Sequence, residues 1–565
     1  MKQLLLGDHA VARGAYEAGV KVAAAYPGTP STEVTEEISK YKEIYCEWSC
    51  NEKVALEVGL GAAIAGIRAI VSMKHVGLNV AADTLFTAAY TGVNAGLVIV
   101  VADDPGMYSS QNEQDTRLIA KAAKLPVLEP SDSNEALKFT KTAFEISEKF
   151  DTPVILRLTT RVAHSQSFVE TSERKEQPAK EYVKSAAKYV MMPANARRRH
   201  VIAEERLKKL QEFAETFEYN VTEGFPKKQA VVCAGITYQY IKEAMPGANI
   251  FKLGMVYPLP VNALKKFAKK AKDLIVCEEL DPFIEENLKA NGIECRGKDI
   301  FPLCGDFSAN LVAEKLAGKA APKTGDTGLP QRPPVLCAGC PHRAVFYTLN
   351  KLKLNVFGDI GCYTLGANPP LNAIDTVVCM GASIGMACGA ERKDFKNVAV
   401  IGDSTFIHSG IPPLINAVYN KNRIIAVILD NGTTGMTGHQ HHPATGKNIR
   451  GEEAPSVNLE KLCAACGVKN VITVDPFDVD KLESCIKEQL LINEVSVIIA
   501  KSPCVLLEKK KYNGFEVKNT CRKCGVCAKL GCPAVVNKKD KYEIDKSLCV
   551  ECNLCKKICK FNAIN

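Results

Sequence analysis

Two cysteine runs near the carboxyl end of the sequence have the spacing of iron–sulfur ligands. Three cysteines spaced two residues apart bind one [4Fe-4S] cluster, and the fourth cysteine of each run binds the neighbouring cluster. We therefore predict one cluster on Cys521, Cys524, Cys527 and Cys559, and a second on Cys549, Cys552, Cys555 and Cys532. The alternative is a pair of zinc sites, which the spacing disfavours because zinc ligands usually come as two separated pairs.

Oxygen-bearing side chains follow two consecutive predicted strands in the second half of the chain. Asp403 comes directly after the strand predicted at residues 398–401, and Asn431 comes after the strand predicted at residues 424–429. The carboxyl ends of parallel strands meet at one edge of a sheet, where both side chains can reach a single ion. The pattern predicts a Mg²⁺ site, since Mg²⁺ is bound by carboxylate and amide oxygens together with phosphate oxygens and water.

The same residues resemble the thiamine diphosphate signature, with Gly402-Asp403-Ser404 followed at a suitable interval by Asn431. Ser404 stands where that signature usually has a glycine. The resemblance implies that Asp403, the Asn431 side chain and the Thr433 carbonyl oxygen bind Mg²⁺. Upstream, we predict a strand at residues 377–380 and then a helix opening. The backbone there would cradle a diphosphate with the small residues Gly381, Ala382 and Ser383.

Thiamine enzymes also need a carboxylic acid that hydrogen-bonds the aminopyrimidine ring. Asn51-Glu52 begins a glycine- and alanine-rich helical stretch and resembles the opening of thiamine pyrimidine domains, so we predict this role for Glu52. Burial between two domains would favour its protonated form. The alternative is a glutamate that only complements the helix dipole.

Further motifs are less specific. Cys340 and His342, in the segment from Cys337 to His342, resemble the loop that opens the diphosphate domain of 2-oxoacid:ferredoxin oxidoreductases. As half of a zinc site, the same segment has no second cysteine pair at a suitable spacing. We expect a substrate keto acid near Gly28, Thr29 and His75, at predicted strand ends, although this turn also suits a plain loop. The histidines that follow the Mg²⁺ residues face either the active site or solvent, and they are His439, His441 and His442.

The elements that must position these residues are short apolar strands alternating with helices. A chain of 565 residues with 46% hydrophobic and 24% charged residues is globular and too long for one core. Continuous apolar strands spaced by helices indicate parallel sheets covered on both faces. We predict a multidomain α/β protein with five segments: residues 1–170, a helical linker at 171–228, 229–325, 335–505 and a cysteine-rich tail at 510–565.

Over essentially its whole length the chain resembles the α subunits of indolepyruvate:ferredoxin oxidoreductases, in the thiamine-diphosphate-dependent 2-oxoacid:ferredoxin oxidoreductase family. The resemblance implies, in order, a pyrimidine-binding domain, the linker, a transketolase C-terminal-like domain, a doubly wound diphosphate/Mg-binding domain and a two-cluster ferredoxin-like domain. It further implies thiamine diphosphate, Mg²⁺ and two [4Fe-4S] clusters as cofactors. The partners implied are a smaller β subunit in an α₂β₂ assembly, ferredoxin, coenzyme A and an aryl 2-oxoacid.

The expected reaction is oxidative decarboxylation of aryl pyruvates such as indolepyruvate to the aryl-acetyl-CoA, with electrons passing through the clusters to ferredoxin. Three alternatives stay open from the sequence. One is the same chemistry on pyruvate or branched-chain 2-oxoacids. The second is a non-oxidative thiamine decarboxylase, and the third is an electron-transfer scaffold that binds no thiamine.

Net charge is concentrated in the tail. From residue 509 onward there are 14 basic and 5 acidic residues, whereas the preceding residues carry 58 of each sign. A basic surface suggests nucleic acid first, but here we predict that it guides an acidic ferredoxin and that the chain binds no nucleic acid. Residues 54–73 contain Glu57 and Arg68, so we expect a buried helix and strand there and no membrane span. Without a secretory signal, cysteines of this density indicate cluster ligands in the cytoplasm.

Overall fold

The computed structural model describes residues 1–224, 229–319, 328, 333–391, 396–508, 510–539 and 541–565. They divide into two compact units, Met1–Thr327 and Gly328–Asn565. The predicted boundaries at residues 225–228 and 325 lie outside the described residues, and the five-segment division stays a prediction. Among the described residues, no helix combines the length and the apolar character needed to cross a membrane.

The first unit is built on a mostly parallel sheet. The strands of the unit are β1 (Lys2–Leu6), β2 (Val22–Ala25), β3 (Tyr45–Trp48), β4 (Ala69–Lys74), β5 (Leu97–Asp103), β6 (Val127–Leu128), β7 (Val154–Thr159), β8 (Gln166–Glu170), β9 (Val221–Glu223), β10 (Gln229–Ala234), β11 (Ile250–Leu253), β12 (Met255–Tyr257) and β13 (Asp273–Cys277). The large sheet has the order β12-β6-β7-β5-β4-β2-β3, and within it only β12 pairs antiparallel. Every residue of β4 and β5 is buried, as expected of strands covered on both faces. The predicted parallel α/β architecture is confirmed.

A smaller sheet in the same unit has the order β13-β10-β11-β9, with β9 antiparallel to β11. Strand β12 follows β11 in the chain but joins the large sheet, where Met255 pairs with Leu128. Strands β1 and β8, which the sequence analysis did not predict, form a separate antiparallel pair. One hydrophobic core includes residues of both the large and the smaller sheet. The segments predicted at 1–170 and 229–325 therefore share a sheet and a core.

Helices connect and cover these strands. They are α1 (Gly7–Glu17), α2 (Thr32–Ile38), α3 (Glu52–Ile64), α4 (His75–Val80), α5 (Ala82–Thr91), α6 (Thr116–Ala123), α7 (Ser133–Phe150), α8 (Thr160–His164), α9 (Ala186–Tyr189), α10 (Pro193–Ala214), α11 (Ile236–Ala244), α12 (Val261–Ala268), α13 (Phe283–Ala290) and α14 (Ala309–Ala317). Helix α10 lies in the predicted linker and packs on α5. Its buried Arg199 and Arg206 donate to the carbonyl oxygens of Tyr90 and Ala89 and to Asp151, which fixes the linker to the first segment.

The second unit has a parallel sheet of its own, with the order β14-β15-β16-β18-β17. Its strands are β14 (Val356–Phe357), β15 (Asn397–Gly402), β16 (Ile424–Asp430), β17 (Asn470–Val474) and β18 (Ser496–Lys501), and the tail adds the antiparallel pair β19 (Val535–Asn537) and β20 (Tyr542–Ile544). The helices are α15 (His342–Lys351), α16 (Ala382–Gly389), α17 (Asp403–Thr405), α18 (Ile411–Tyr419), α19 (Leu459–Ala465), α20 (Val479–Leu490) and α21 (Leu554–Lys557).

The strand predicted at residues 377–380 is wrong. The chain makes a single bridge between Phe357 and Thr376 and then continues without pairing up to the turn at Gly381. Val378 is more than half exposed, so this apolar run is not part of a sheet interior. An apolar run signals a buried strand only when tertiary packing covers it.

Candidate active site

Three polar groups converge at the carboxyl ends of β15 and β16. One terminal atom of the Asn431 amide lies 2.8 Å from the Thr433 carbonyl oxygen and 3.3 Å from Asp403 Oδ1. All three residues are buried. Without a cation, that atom must be the amide nitrogen in order to avoid facing two acceptors. With Mg²⁺ among the three groups, the amide oxygen takes this place. The geometry therefore fits the metal that the sequence predicted.

Neighbouring groups orient the two side-chain ligands. Asp403 Oδ2 accepts from Gly432 N at 2.9 Å and lies 3.2 Å from His442 Nε2, which leaves Oδ1 directed to the cation position. Ala444 N donates to His442 Nδ1 at 3.4 Å, so Nε2 carries the proton that faces Asp403. The other terminal atom of the Asn431 amide lies 3.5 Å from His342 Nε2. Burial lowers the pKa of His342 to about 4, against the charge of Asp403, and a neutral imidazole can accept from that amide.

In the predicted diphosphate cradle, some backbone N–H groups already donate hydrogen bonds to a side chain of the protein. Helix α16 begins at Ala382 as expected, and Gly381 before it has a φ of 85°. A Cβ at Gly381 would lie 2.5 Å from Ser409 Cβ, so this position requires glycine. The Asp359 carboxylate, however, accepts from Gly381 N at 2.8 Å and from Ser383 N at 3.0 Å. The diphosphate-binding roles of Gly381, Ala382 and Ser383 stay predictions.

Two further members of the predicted signature lie beside the metal ligands. Gly402 ends β15, where a Cβ would lie 2.5 Å from the Tyr363 ring. Ser404 is buried and its hydroxyl oxygen accepts from Thr434 Oγ1 at 2.9 Å. Ser404, in the position of the usual glycine, therefore links the Asp403 turn to the loop that follows Asn431.

Glu52 is the first residue of α3 in the first unit and is 5% exposed. The Asn51 side chain caps this helix by accepting from Val54 N at 2.9 Å. Gly77 lies directly against the carboxyl group, since a Cβ there would come within 2.6 Å of Glu52 Oε1. Any larger residue at position 77 would displace the predicted catalytic acid.

A buried lysine that the sequence analysis did not identify lies at the end of β4, beside Glu52. Lys74 is 8% exposed, and its Nζ donates to the Ser109 carbonyl oxygen at 2.8 Å. Burial lowers its pKa to about 8, against the negative charges of Asp104 and Glu52. Among the described residues, no carboxylate lies within ion-pair distance of this ammonium group. Such a cation at a strand end suits an anionic substrate.

The predicted substrate turn surrounds Lys74. Gly28 packs on the Lys74 side chain, and the Thr29 carbonyl oxygen accepts from Ser109 Oγ at 3.2 Å. His75 is buried, and its Nε2 lies 3.2 Å from the Asn112 carbonyl oxygen. Burial lowers the pKa of His75, so it is a neutral donor to that carbonyl group. The structure thus brings Gly28, Thr29 and His75 together at one edge of the large sheet.

The tail cysteines gather into two groups, each of which combines both runs. One cavity is lined by Cys521, Cys524, Cys527 and Cys559. In the second group, burial raises the pKa of Cys552 and is the main cause that raises the pKa of Cys555 to about 12. The charges of Cys532 and Cys549 contribute to both shifts. Thiols of such high pKa ionise readily only when they bind a metal or a cluster.

A third group of cysteines lies beside the predicted Mg²⁺ ligands, where Cys504 N donates to the Asn431 carbonyl oxygen at 2.9 Å. Burial raises the pKa of Cys362 to about 11, with the Cys504 and Cys337 charges adding to the effect, and raises that of Cys340 to about 12. Burial also raises the pKa of Cys504, and the charge of Asp403 adds to that rise. In the sequence these residues are a CxxC pair and two cysteines far apart from it, so the sequence analysis did not place them at one site. The signal missed was that Cys362 and Cys504 follow the carboxyl ends of β14 and β18, which belong to the same parallel sheet.

The third group contacts the tail directly. Gly339, inside the CxxC loop, has no room for a Cβ, which would lie 2.1 Å from Val550 Cγ2 in the second tail run. Arg343 donates to the Leu530 carbonyl oxygen at 2.7 Å and to the Cys337 carbonyl oxygen at 3.0 Å. The group that includes Cys532 therefore lies next to the CxxC loop, and the group that includes Cys521 lines a separate cavity of the tail.

Three sequence families match this chain. Residues 13–222 match "Pyruvate flavodoxin/ferredoxin oxidoreductase, thiamine diP-bdg", and residues 359–500 match "Thiamine pyrophosphate enzyme, C-terminal TPP binding domain". Residues 542–565 match "4Fe-4S binding domain". Thiamine diphosphate-binding domains are thus supported in both units of the fold, and an iron–sulfur domain is supported in the second unit.

Curated relatives match over the full chain. "Indolepyruvate oxidoreductase subunit IorA" of Archaeoglobus fulgidus is 42% identical, covering 100% of this chain and 97% of that protein. The proteins of the same name from Methanothermobacter marburgensis and Pyrococcus horikoshii are 41% and 40% identical, each covering at least 99% of this chain and 96% of the relative. A solved structure of 2-oxoglutarate:ferredoxin oxidoreductase from Magnetococcus marinus aligns with 56% of this chain and 65% of its own at 18% identity, with a TM-score of 0.49.

Proposed function

The chain belongs to the family of indolepyruvate oxidoreductase IorA subunits, and on that premise we propose that it oxidises aryl pyruvates to aryl-acetyl-CoA and CO₂. It is an oxidoreductase, and its thiamine and 4Fe-4S domains support oxidative decarboxylation of 2-oxoacids. The preference for indolepyruvate and the use of coenzyme A are the finer parts of the proposal. The observation that carries it is the place of Cys337, Cys340, Cys362 and Cys504 between the predicted metal ligands and the tail: Cys504 N donates to the Asn431 carbonyl oxygen at 2.9 Å, and Gly339 packs against Val550.

Bound thiamine diphosphate supplies an electron sink for the loss of CO₂. Asp403, the Asn431 amide oxygen and the Thr433 carbonyl oxygen would hold its Mg²⁺, with His442 and His342 orienting the two side chains. Glu52 would donate a hydrogen bond to the aminopyrimidine ring, and Gly77 leaves the space that its carboxyl group occupies.

Lys74 is the residue that we assign to the substrate carboxylate. A 2-oxoacid is an anion, and this ammonium group is buried at the sheet edge that also carries Thr29 and His75. Its hydrogen bond to Ser109 leaves other N–H donors for a carboxylate, and a charge-assisted pair in a buried site orients the substrate strongly.

Electrons would leave singly along the second unit. The order that the contacts support is the Cys337, Cys340, Cys362 and Cys504 group first, the Cys532 group of the tail second and the Cys521 group last. We propose that each group binds one [4Fe-4S] cluster, so the chain holds one cluster more than the sequence analysis expected. One turnover releases two electrons, which reduce two molecules of ferredoxin.

We propose a smaller β subunit as partner in an α₂β₂ assembly, with pyrimidine and diphosphate domains paired across the α₂ core. The relatives are named as subunits, which supports a larger assembly.

Anaerobic reduction of a viologen dye tests the function directly. The chain with its β partner, thiamine diphosphate, Mg²⁺ and coenzyme A should reduce the dye with indolepyruvate faster than with pyruvate or a branched-chain 2-oxoacid. Equal rates with pyruvate would refute the aryl preference. Aldehyde release without dye reduction would identify a non-oxidative decarboxylase instead.

A further inference from the structure

A separate set of metal-ligand atoms converges in the first unit, on three helices. Asp8 is the second residue of α1, Glu33 is the second residue of α2 and His164 ends α8. One carboxylate oxygen of each acid and one ring nitrogen of the histidine all lie within 4.8 Å of one another. His164 Nε2 and Glu33 Oε2 are 3.5 Å apart.

The buried carboxylate of Asp8 is what singles out this cluster. Asp8 is 0% exposed, and neither of its side-chain oxygens has a hydrogen-bond partner in the described part of the chain. A second carboxylate, Glu33, lies beside it. Burying an acid without a donor is costly, and a neighbouring negative charge raises that cost further. Something positive or protonated must therefore occupy the space between these side chains.

We propose that Asp8, Glu33 and His164 bind one divalent transition-metal ion of the Zn²⁺ type. Two carboxylates and an imidazole are a typical Zn²⁺ ligand set, whereas Mg²⁺ prefers oxygen ligands alone. Ligand bonds of about 2 Å place tetrahedral ligand atoms about 3.3 Å apart. The His164–Glu33 distance of 3.5 Å already suits that geometry. The other pairs of ligand atoms lie within 4.8 Å of one another, so a bound ion would draw them closer together.

Solvent can reach this cluster. The side chains of Glu33 and His164 are each 35% exposed, which leaves a path for the ion and room for a water ligand. The ion would tie the first turns of α1 and α2 to the end of α8, close to the Gly28–Thr29 turn that precedes α2. It is distinct from the Mg²⁺ position, since its three ligands all belong to the first unit.

The alternative explanation is that a proton on Asp8, not a metal ion, neutralises the buried carboxylate. Without a cation, burial and the Glu33 charge raise the pKa of Asp8 well above its ordinary value, and a neutral acid would be tolerated. Asp8→Asn separates the two cases. An amide replaces a protonated acid with little change, but it weakens a metal site by removing a charged ligand.

Zn²⁺ binding is measured on the anaerobically purified holoprotein, cluster-loaded and saturated with Mg²⁺ and thiamine diphosphate so that the other sites are filled. After treatment with a chelator and its removal, the protein is saturated again with Mg²⁺ and thiamine diphosphate and titrated with Zn²⁺, and tightly bound zinc per chain is counted together with the thermal midpoint. The variants are Asp8→Asn, His164→Gln and, as a matched control, His200→Gln. His200 is an exposed histidine that also faces a glutamate, Glu204, at 3.7 Å.

The expected result is one more equivalent of Zn²⁺ in the wild type and in His200→Gln than in Asp8→Asn and His164→Gln, with a zinc-dependent rise in the midpoint only in the first two. Equal zinc binding in all four proteins would overturn the proposal. So would an Asp8→Asn variant that keeps both the extra equivalent and the midpoint shift. The result does not depend on turnover, so it stands apart from the proposed reaction.

Discussion

His441 and His442 are adjacent in the chain, but only His442 meets the predicted metal site. Its Nε2 lies 3.2 Å from Asp403 Oδ2, and it is buried, whereas His441 is half-buried away from that carboxylate. We expect His442→Gln to weaken Mg²⁺-dependent binding of thiamine diphosphate by about 10- to 100-fold, because outer partners of metal ligands orient them. His441→Gln is the control and should bind normally. Calorimetric titration with thiamine diphosphate and Mg²⁺ measures both, and equal affinities would rule out an orienting role for His442.

Lys74 predicts a pH dependence of substrate binding. Its pKa is lowered to about 8 by burial, so its charge is present below that pH and is lost above it. The KM for the 2-oxoacid should therefore rise as the pH passes about 8. Lys74→Met should raise KM about tenfold or more at neutral pH, since a charged hydrogen bond contributes over 1 kcal/mol. Lys74→Arg should remove the rise at high pH.

The control for these variants is Lys53→Met. Lys53 is an exposed lysine in the first turn of α3, the helix that begins at Glu52. Thiamine diphosphate affinity should be unchanged in all of them. A Lys74→Met enzyme with wild-type KM would contradict the assignment even if the wild type oxidises indolepyruvate as proposed.

At the scale of elements, the CxxC loop, the turn after β14 and the segment after β18 together bring four cysteines to one place. If they hold a cluster, the chain contains about twelve iron atoms, and the two tail groups alone would give about eight. Cys362→Ser should lower the iron content by about four atoms per chain and stop dye reduction. Cys379→Ser, an exposed cysteine nearby in sequence, should do neither. Iron and acid-labile sulfide assays decide this, and unchanged iron in Cys362→Ser would limit the chain to the tail clusters.

A buried charge network connects α6 to the smaller sheet. Arg117 is 1% exposed and donates to Asp115 and, at 2.8 Å, to Glu278 after β13. Burial raises the pKa of Glu278 to about 7, and the Arg117 charge opposes that rise. Arg117→Met would leave buried carboxylates unpaired, and we expect a loss of about 3–5 kcal/mol in stability. Arg296→Met, which breaks an exposed pair with Asp273, should change little. Thermal unfolding of the two variants measures the difference.

At the scale of the whole molecule, the net positive charge lies on the tail that carries the last clusters in the proposed order. We expect electron transfer to ferredoxin to slow steeply with added salt, since attraction between oppositely charged surfaces is screened. Replacing the exposed Lys538 and Lys539 by Gln should slow it at low salt, and the same change at Lys265 and Lys266 should not. Stopped-flow reduction of ferredoxin measures the rates. Rates that do not respond to salt would leave the charge with only a local role.

Much of the fold follows from local pattern. The strands predicted at residues 398–401 and 424–429 are β15 and β16, and the apolar strands that alternate with helices elsewhere are also found, because continuous apolar stretches pack well inside a parallel sheet. The strands that were not predicted are short, partly exposed or paired with distant partners, and they are β1, β6, β8, β9, β12, β17, β19 and β20. Residues 377–380 were predicted as a strand on apolar character alone, and the structure leaves them unpaired.

From residue types and spacing alone, one can predict the chemistry that depends on close spacing. The tail cysteines, the Asp403–Asn431 interval and the Asn51–Glu52 helix opening each lie within one local motif, so residue types and distances along the chain are enough to identify them. Lys74 beside Glu52, His442 against Asp403 and the joining of Cys504 to the CxxC loop could be decided only by the tertiary structure. Their partners meet because parallel strands end at a common edge, and that meeting leaves no regular spacing in the sequence.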